Sequence, residues 1–110
     1  MAKFEIKKRS NGEFQFNLKA GNGQVILASE GYSAKASCMN GVESVRKNSQ
    51  DDARFESLTA SNGKFYFRLN SINGQSIGSS EMYESSTSRD NGIESVKSNA
   101  VGASVDDLTD

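Results

Sequence analysis

The chain contains itself twice. Residues 11–48 align with residues 62–99 at a constant offset of 51 without a gap, and 19 of those 38 positions are identical. The shared residues include Asn-Gly-x-Phe-x-Phe-x-Leu, Asn-Gly-Gln-x-Ile, Ser-Glu-x-Tyr and Asn-Gly-[Val/Ile]-Glu-Ser-Val. Each copy spans only about fifty residues, and a unit of that size buries roughly 60% of its unfolded surface and is marginal alone. The two copies are therefore expected to share one core within a single domain, with residues 1–53 as repeat one and 54–110 as repeat two.

Within the repeat, the hydrophobic period changes once. Phe4 and Ile6 alternate with charged residues, Asn11-Gly12 interrupts, and Phe14, Phe16 and Leu18 resume the alternation. Alternation on both sides of Asn-Gly is the signature of a hairpin, since this dipeptide tolerates the positive φ of a tight turn. A further turn at 20–23 leads to a third strand at 24–29, with Ile26 and Ala28 facing inward. Repeat two follows suit with turns at Asn62-Gly63 and Asn73-Gly74 around Phe65, Phe67 and Leu69, then Ile77.

From Ser33 the pattern becomes helical. Cys38, Val42 and Val45 fall on one face at i, i+4 and i+7, with Ser33 as the expected N-cap and Arg46-Lys47 at the C-terminus. Gly41 and Gly92 interrupt both helices at the same repeat position, each at about 1 kcal/mol against alanine. We favour an unbroken helix whose backbone comes close to the sheet there; a turn at Asn40-Gly41 and Asn91-Gly92 is the competing reading. After each helix comes a strand-like segment, and the one at 104–108 needs a sheet edge, which the other copy can provide. The expectation is an α+β domain with a six- to eight-stranded, mostly antiparallel sheet and two helices on one face.

Several of these segments carry a family likeness. Lys-Ala-Gly-Asn-Gly-Gln-x-Ile, Ser-Glu-Gly-Tyr-Ser and Asn-Gly-Val-Glu-Ser-Val-Arg, with Asn-Gly-Lys-Phe-Tyr-Phe and Gly-Ser-Ser-Glu-Met-Tyr in the second copy, resemble the YegP family of small bacterial proteins. The resemblance covers essentially the whole chain, in tandem two-repeat form. It implies tandem βββαβ units that build a single sheet and exchange their C-terminal strands, and it implies dimers for single-repeat relatives. It brings no activity and no catalytic residues.

Composition narrows the chemistry. Hydrophobic residues make up 35% of the chain and charged residues 25%, a globular and not a disordered balance. No apolar run approaches the roughly 18 residues of a membrane span. The chain opens on patterned sequence with no signal peptide, and its single cysteine leaves no disulfide, so a cytoplasmic protein is expected. The absence of histidine removes the commonest general base and metal ligand, and no metal or cofactor is expected. The charge is uneven: residues 1–50 carry eight Lys/Arg and four Asp/Glu, a net of +4, and residues 51–110 carry five and ten, a net of −5.

Three sets of residues are candidates for function. Glu30 with Tyr32, and Glu81 with Tyr83, sit at the hinges between third strand and helix. They are the natural centre of a small carboxylate-dependent enzyme, but with no histidine or nucleophile beside them a structural role is favoured. Cys38 lies on the inward stripe, where a thiol is core and not nucleophile. The third set faces away from the helices: Gln15, Asn17, Val25 and Leu27 in repeat one, Tyr66, Arg68, Ser76 and Gly78 in repeat two. Val25 and Leu27 form an apolar spot, and Tyr66 and Arg68 suit a protein or small-ligand contact. These two could also stack and clamp single-stranded nucleic acid, a disfavoured alternative. The leading expectation is a non-enzymatic binding or accessory module, monomeric because its two repeats already pair, and with no membrane contact.

Overall fold

The computed structural model describes residues 1–109. Strands β1 (Lys3–Lys8), β2 (Phe14–Lys19) and β3 (Val25–Ser29) precede helix α1 (Lys35–Asn48). A single 3-10 turn at Asp52–Arg54 then leads to β4 (Phe55–Thr59), β5 (Phe65–Asn70), β6 (Ser76–Ser79), α2 (Ser86–Asn99) and β7 (Ser104–Asp107). All seven strands form one sheet in the order β4-β5-β6-β3-β2-β1-β7. Every neighbouring pair is antiparallel except β1 and β7, which run parallel.

The two copies meet at β3 and β6, where Ala28 pairs with Ser79 and Ser29 with Gly78. Ala28 and Ser79 occupy the same repeat position, so a pseudo-two-fold axis passes through that pair. The strands after the helices cross over. The chain leaves α1 for β4, at the edge of the second half, and leaves α2 for β7, at the edge of the first. This is the expected exchange, and β4 serves as both the closing strand of one copy and the opening strand of the next.

All four hairpin turns are built alike. In each, a backbone N–H of glycine bonds the carbonyl three residues back, as from Gly12 to Arg9 at 3.0 Å and Gly63 to Ala60 at 2.9 Å. Gly12, Gly23, Gly63 and Gly74 have φ between 83° and 88°, while no described non-glycine residue has positive φ. The asparagine therefore keeps a negative φ, and the glycine alone takes the left-handed conformation. The asparagine side chain does the work: Asn11 Oδ1 accepts from the Glu13 N–H at 3.0 Å, and Asn22, Asn62 and Asn73 make the same contact. These are three-residue loops closed by a left-handed glycine.

Phe4, Ile6, Phe16, Leu18, Phe67 and Leu69 are fully buried with Val42, Val45 and Val96 in one core on the helix side. Both helices run unbroken through their glycines. A Cβ at Gly41 would collide with the Tyr32 hydroxyl and stand 2.9 Å from Phe16 Cε2; one at Gly92 would stand 2.9 Å from Tyr83 Cζ and 3.1 Å from Phe67 Cε2. Capping departs from expectation. Ala34, not Ser33, occupies the N-cap of α1 and gives no side-chain bond, whereas Ser85 caps α2 by accepting from the Ser88 N–H at 3.1 Å.

One strand reads differently from its alternation. The register between β2 and β3 shifts at Leu18/Lys19, so that Leu27 pairs with Leu18 and Val25 with Lys19. A bulge of this kind changes the face on which later side chains emerge. Leu27 thus points to the helices and is fully buried, while Ala28 pairs with Asn17 on the other face. The same shift at Leu69/Asn70 turns Gly78 inward. Leu27 and Gly78 hold equivalent repeat positions beside the axis, and they are not interchangeable in size. A Cβ at Gly78 would lie 2.8 Å from the Ala28 carbonyl oxygen and 3.2 Å from Leu27 Cγ. Leu27 fills the space that two identical side chains would contest.

Candidate functional site

The face of the sheet opposite the helices has no covering layer among the described residues. Strand pairing lays one row across it from edge to edge: Asp106, Glu5, Asn17, Ala28, Ser79, Arg68 and Glu56. A second row pairs Lys7 with Gln15, and in the other half Leu58 with Tyr66. The surface is continuous because the sheet is continuous, and each half contributes different chemistry to it.

In the first half the centre is Glu5, whose side chain is only 8% exposed. Lys19 Nζ stands 3.0 Å from one carboxylate oxygen, and Lys3 and Lys7 approach at 3.4 and 4.0 Å. The Lys19 contact holds the Glu5 carboxyl below its ordinary range against the opposing effect of burial, with Lys3 assisting. Gln15 joins the same surface by accepting from Arg9 Nε at 2.9 Å and donating to Asn17 Oδ1 at 3.1 Å.

In the second half the lysine cluster is absent. Arg68 lies 3.6 Å from Glu56 and keeps 38% of its side chain exposed, and Tyr66 is half-buried beside Leu58. Tyr66, Arg68 and the half-buried Val25 are thus available on the open face. Leu27 is not: its burial against Leu18 removes it from any partner contact and leaves Val25 without the apolar neighbour expected from simple alternation.

The Ser-Glu-x-Tyr hinges are tied to the strands by hydrogen bonds. Ser29 Oγ accepts from the Phe16 N–H at 2.9 Å and donates to the Glu30 carbonyl at 2.8 Å; Ser80 repeats both bonds with Phe67 and Glu81. Each serine satisfies a strand N–H where the chain departs towards the helix. Tyr32 and Tyr83 then rejoin the sheet by paired backbone bonds to Phe14 and Phe65, and their rings stack on Phe16 and Phe67 at 6.3 and 6.5 Å. Burial first, and nearby negative charge second, push both phenols above their ordinary range. Glu30 and Glu81 are exposed beside them. Neither hinge brings a nucleophile and a base together.

Cys38 is fully buried, and burial with the Asp107 charge pushes its thiol up to about 11, the behaviour of a core thiol. No described group of three or more Cys, Asp or Glu has metal-ligating geometry. One feature escaped the sequence reading. A groove of about 280 Å³ between α1 and the β5–β6 hairpin is lined by the hinge residues Glu30 and Tyr32 together with Asn40, Ser44, Gln75 and Ile77. It borders a wider one of about 500 Å³ near Lys47, Arg54 and Ile72. Its walls come from different halves of the chain, so no local pattern announces it. It offers hydrogen-bonding groups and one carboxylate, that of Glu30.

Comparison with known proteins agrees with the architecture. A family model described as a domain of unknown function, DUF1508, matches residues 10–56 and again residues 60–107. A UPF0339 protein of Acinetobacter baylyi is 57% identical over 106 residues, covering 96% of each chain. The UPF0339 protein YegP of Escherichia coli O157:H7 is 54% identical over 106 residues, again covering 96% of each. The solution NMR structure of a yegP protein from E. coli superimposes with a TM-score of 0.93 at 52% identity, covering 98% of this chain and 93% of that one. A second NMR structure, of a UPF0339 protein from Shewanella oneidensis, gives 0.93 at 50% identity, covering 98% and 92%. No described helix is long and apolar enough to cross a membrane. With the model matched in both halves and relatives of this identity along its length, the chain belongs to the DUF1508 family, the UPF0339/YegP proteins, in the form that carries the domain twice.

Proposed function

We propose that the protein is a non-catalytic binding module of the cytoplasm, monomeric, that engages a protein or small ligand through its open sheet face with Tyr66 and Arg68 as anchors. The observation that carries this reading is a contrast between the two copies. Inward positions away from the axis and the sheet ends match: Phe16 with Phe67, Leu18 with Leu69, Ile26 with Ile77. Outward positions do not: Gln15 stands against Tyr66, Asn17 against Arg68, Val25 against Ser76. Tyrosine and arginine dominate binding hot spots, and here they emerge side by side on one strand. The hinges favour a structural reading, since their serines and the tyrosine backbones are engaged in holding the chain.

Changing Tyr66→Ala together with Arg68→Ala should leave stability within about 0.5 kcal/mol, as for surface positions generally. It should abolish the amide shifts that a native cell extract induces in β5 and its open-face neighbours. A parallel titration with single-stranded oligonucleotide separates nucleic acid from other partners. Shifts confined to the helices, to the hinges or to the groove above β6 would place the functional surface elsewhere.

A further inference from the structure

The internal symmetry exposes a vacancy. In the first half, β7 closes the sheet by lying parallel on the outer edge of β1, with Val105 opposite Phe4 and Asp107 opposite Ile6. The counterpart of β1 in the second half is β4, and among the described residues β4 pairs with β5 alone. Shifted by the repeat offset, the residues that would receive a strand are Phe55, Glu56 and Ser57. Burial registers the difference. Phe4, Ile6 and Val42 are fully buried, whereas their counterparts Phe55 and Ile93 are half-buried and Ser57 is exposed. A groove of about 270 Å³ runs there, lined by Asp52, Phe55, Ser57, Asp90, Ile93 and Glu94.

Charge specifies what fits. The filled slot takes an acidic strand on basic walls: Lys35 Nζ meets Asp107 at 2.7 Å, Lys3 meets Asp106 at 3.6 Å, and Arg46 Nη2 donates to the Ala103 carbonyl at 2.6 Å. In the vacant slot Lys35 is replaced by Ser86 and Met39 by Asp90. Three carboxylates line it; Asp52 and Glu94 share Lys97, at 2.5 and 3.4 Å, and Asp90 meets Arg89 at 3.2 Å. Arg54 and Lys97 keep the places of Lys3 and Arg46, but the loss of Lys35 and the gain of Asp52 and Asp90 turn a basic wall into a mixed one rich in carboxylates, in the half of the chain with net −5. A second copy's β7, with Asp106 and Asp107, would bring like charge to it.

We propose that the outer edge of β4 is a docking site for an extended cationic segment of a partner protein, added parallel as an eighth strand. Backbone groups of β4 provide the ladder, Phe55 and Ile93 receive an apolar side chain, and Asp90 and Glu94 receive lysine or arginine; sheet-edge addition divides affinity and specificity in this way. The edge adjoins the open face at Glu56, but its groove, with Phe55 and Ile93, lies on the helix side.

The test uses the whole protein and a capped peptide of alternating lysine and valine, with the glutamate–valine analogue as control. The lysine peptide should shift and slow the exchange of the β4 amides, and the glutamate peptide should not. Asp90 and Glu94 are exposed, so Asp90→Lys with Glu94→Lys preserves the fold. It should weaken the lysine peptide about tenfold, as expected for reversing two exposed charges. Absence of β4 shifts, or an equal response to both peptides, would overturn the proposal. Protection of β4 that grows with protein concentration in the absence of peptide would also overturn it, assigning the edge to a second copy.

Discussion

Leu27→Ala is expected to lower stability by about 2–5 kcal/mol, the range for emptying a fully buried leucine site. In a domain of this size that is a large share of the total, since native proteins hold only about 5–15 kcal/mol. Leu27 stands beside the pseudo-two-fold axis, where its repeat counterpart is Gly78 and the two sites share one volume. The converse change, Gly78→Leu, is expected to destabilise by overpacking, because the new Cβ meets the Ala28 carbonyl as well as Leu27. Combining Gly78→Leu with Leu27→Gly relieves the second contact but not the first. The pair should therefore be more stable than the sum of its single changes by about 0.5–3 kcal/mol, the coupling usual for residues in contact. Urea midpoints of the three variants measure it; strict additivity would mean that the two residues do not compete for the axis. A dimer of identical units must place the same residue at both sites, whereas a chain that carries both copies can place leucine at one and glycine at the other.

Gly41→Leu is expected to cost about 1–3 kcal/mol by overpacking. The gain in helix propensity, about 1 kcal/mol, works in the opposite direction. Sterics should win because Tyr32 has little room to retreat: its ring stacks on Phe16 and its backbone is bonded to Phe14 on both sides. Gly92→Leu should behave alike, since Tyr83 and Phe67 reproduce the contact. Denaturant unfolding checks both, and a variant at least as stable as the parent would remove close approach as the reason for glycine.

Much of this fold is legible in the repeat. Four Asn-Gly pairs place the hairpins, the alternating phenylalanines choose the buried face, and the change of period at residue 33 announces the helix. Leu27 was expected on the open face because alternation assumes an even register, and a bulge at Leu18/Lys19 leaves no mark on hydrophobicity. Ser33 was expected at the N-cap although Ala34, a poor cap, holds that place; the serine in the second copy, Ser85, is the better guide. The part of Ser29 and Ser80 in the hinges, bonding the strand N–H groups of Phe16 and Phe67, is visible only in the structure. The groove beside α1 and the vacant edge of β4 depend on how the copies are arranged together, which no window along one copy contains. The open-face positions around Tyr66 and Arg68 stand out for the opposite reason: they differ between copies while the buried residues of the same strand, Phe67 and Leu69, repeat Phe16 and Leu18.

The open face, the groove and the edge all depend on the two copies forming one body. The most direct measurement is urea unfolding followed by amide resonances in both halves, with Val45 in α1 and Val96 in α2 as paired probes. Both are fully buried in the same core, and the strands that follow their helices lie in the opposite halves. A single midpoint shared by both probes is expected, as for one cooperative domain. Two separated midpoints, with one helix lost while the other persists, would contradict a shared core and with it a continuous binding face.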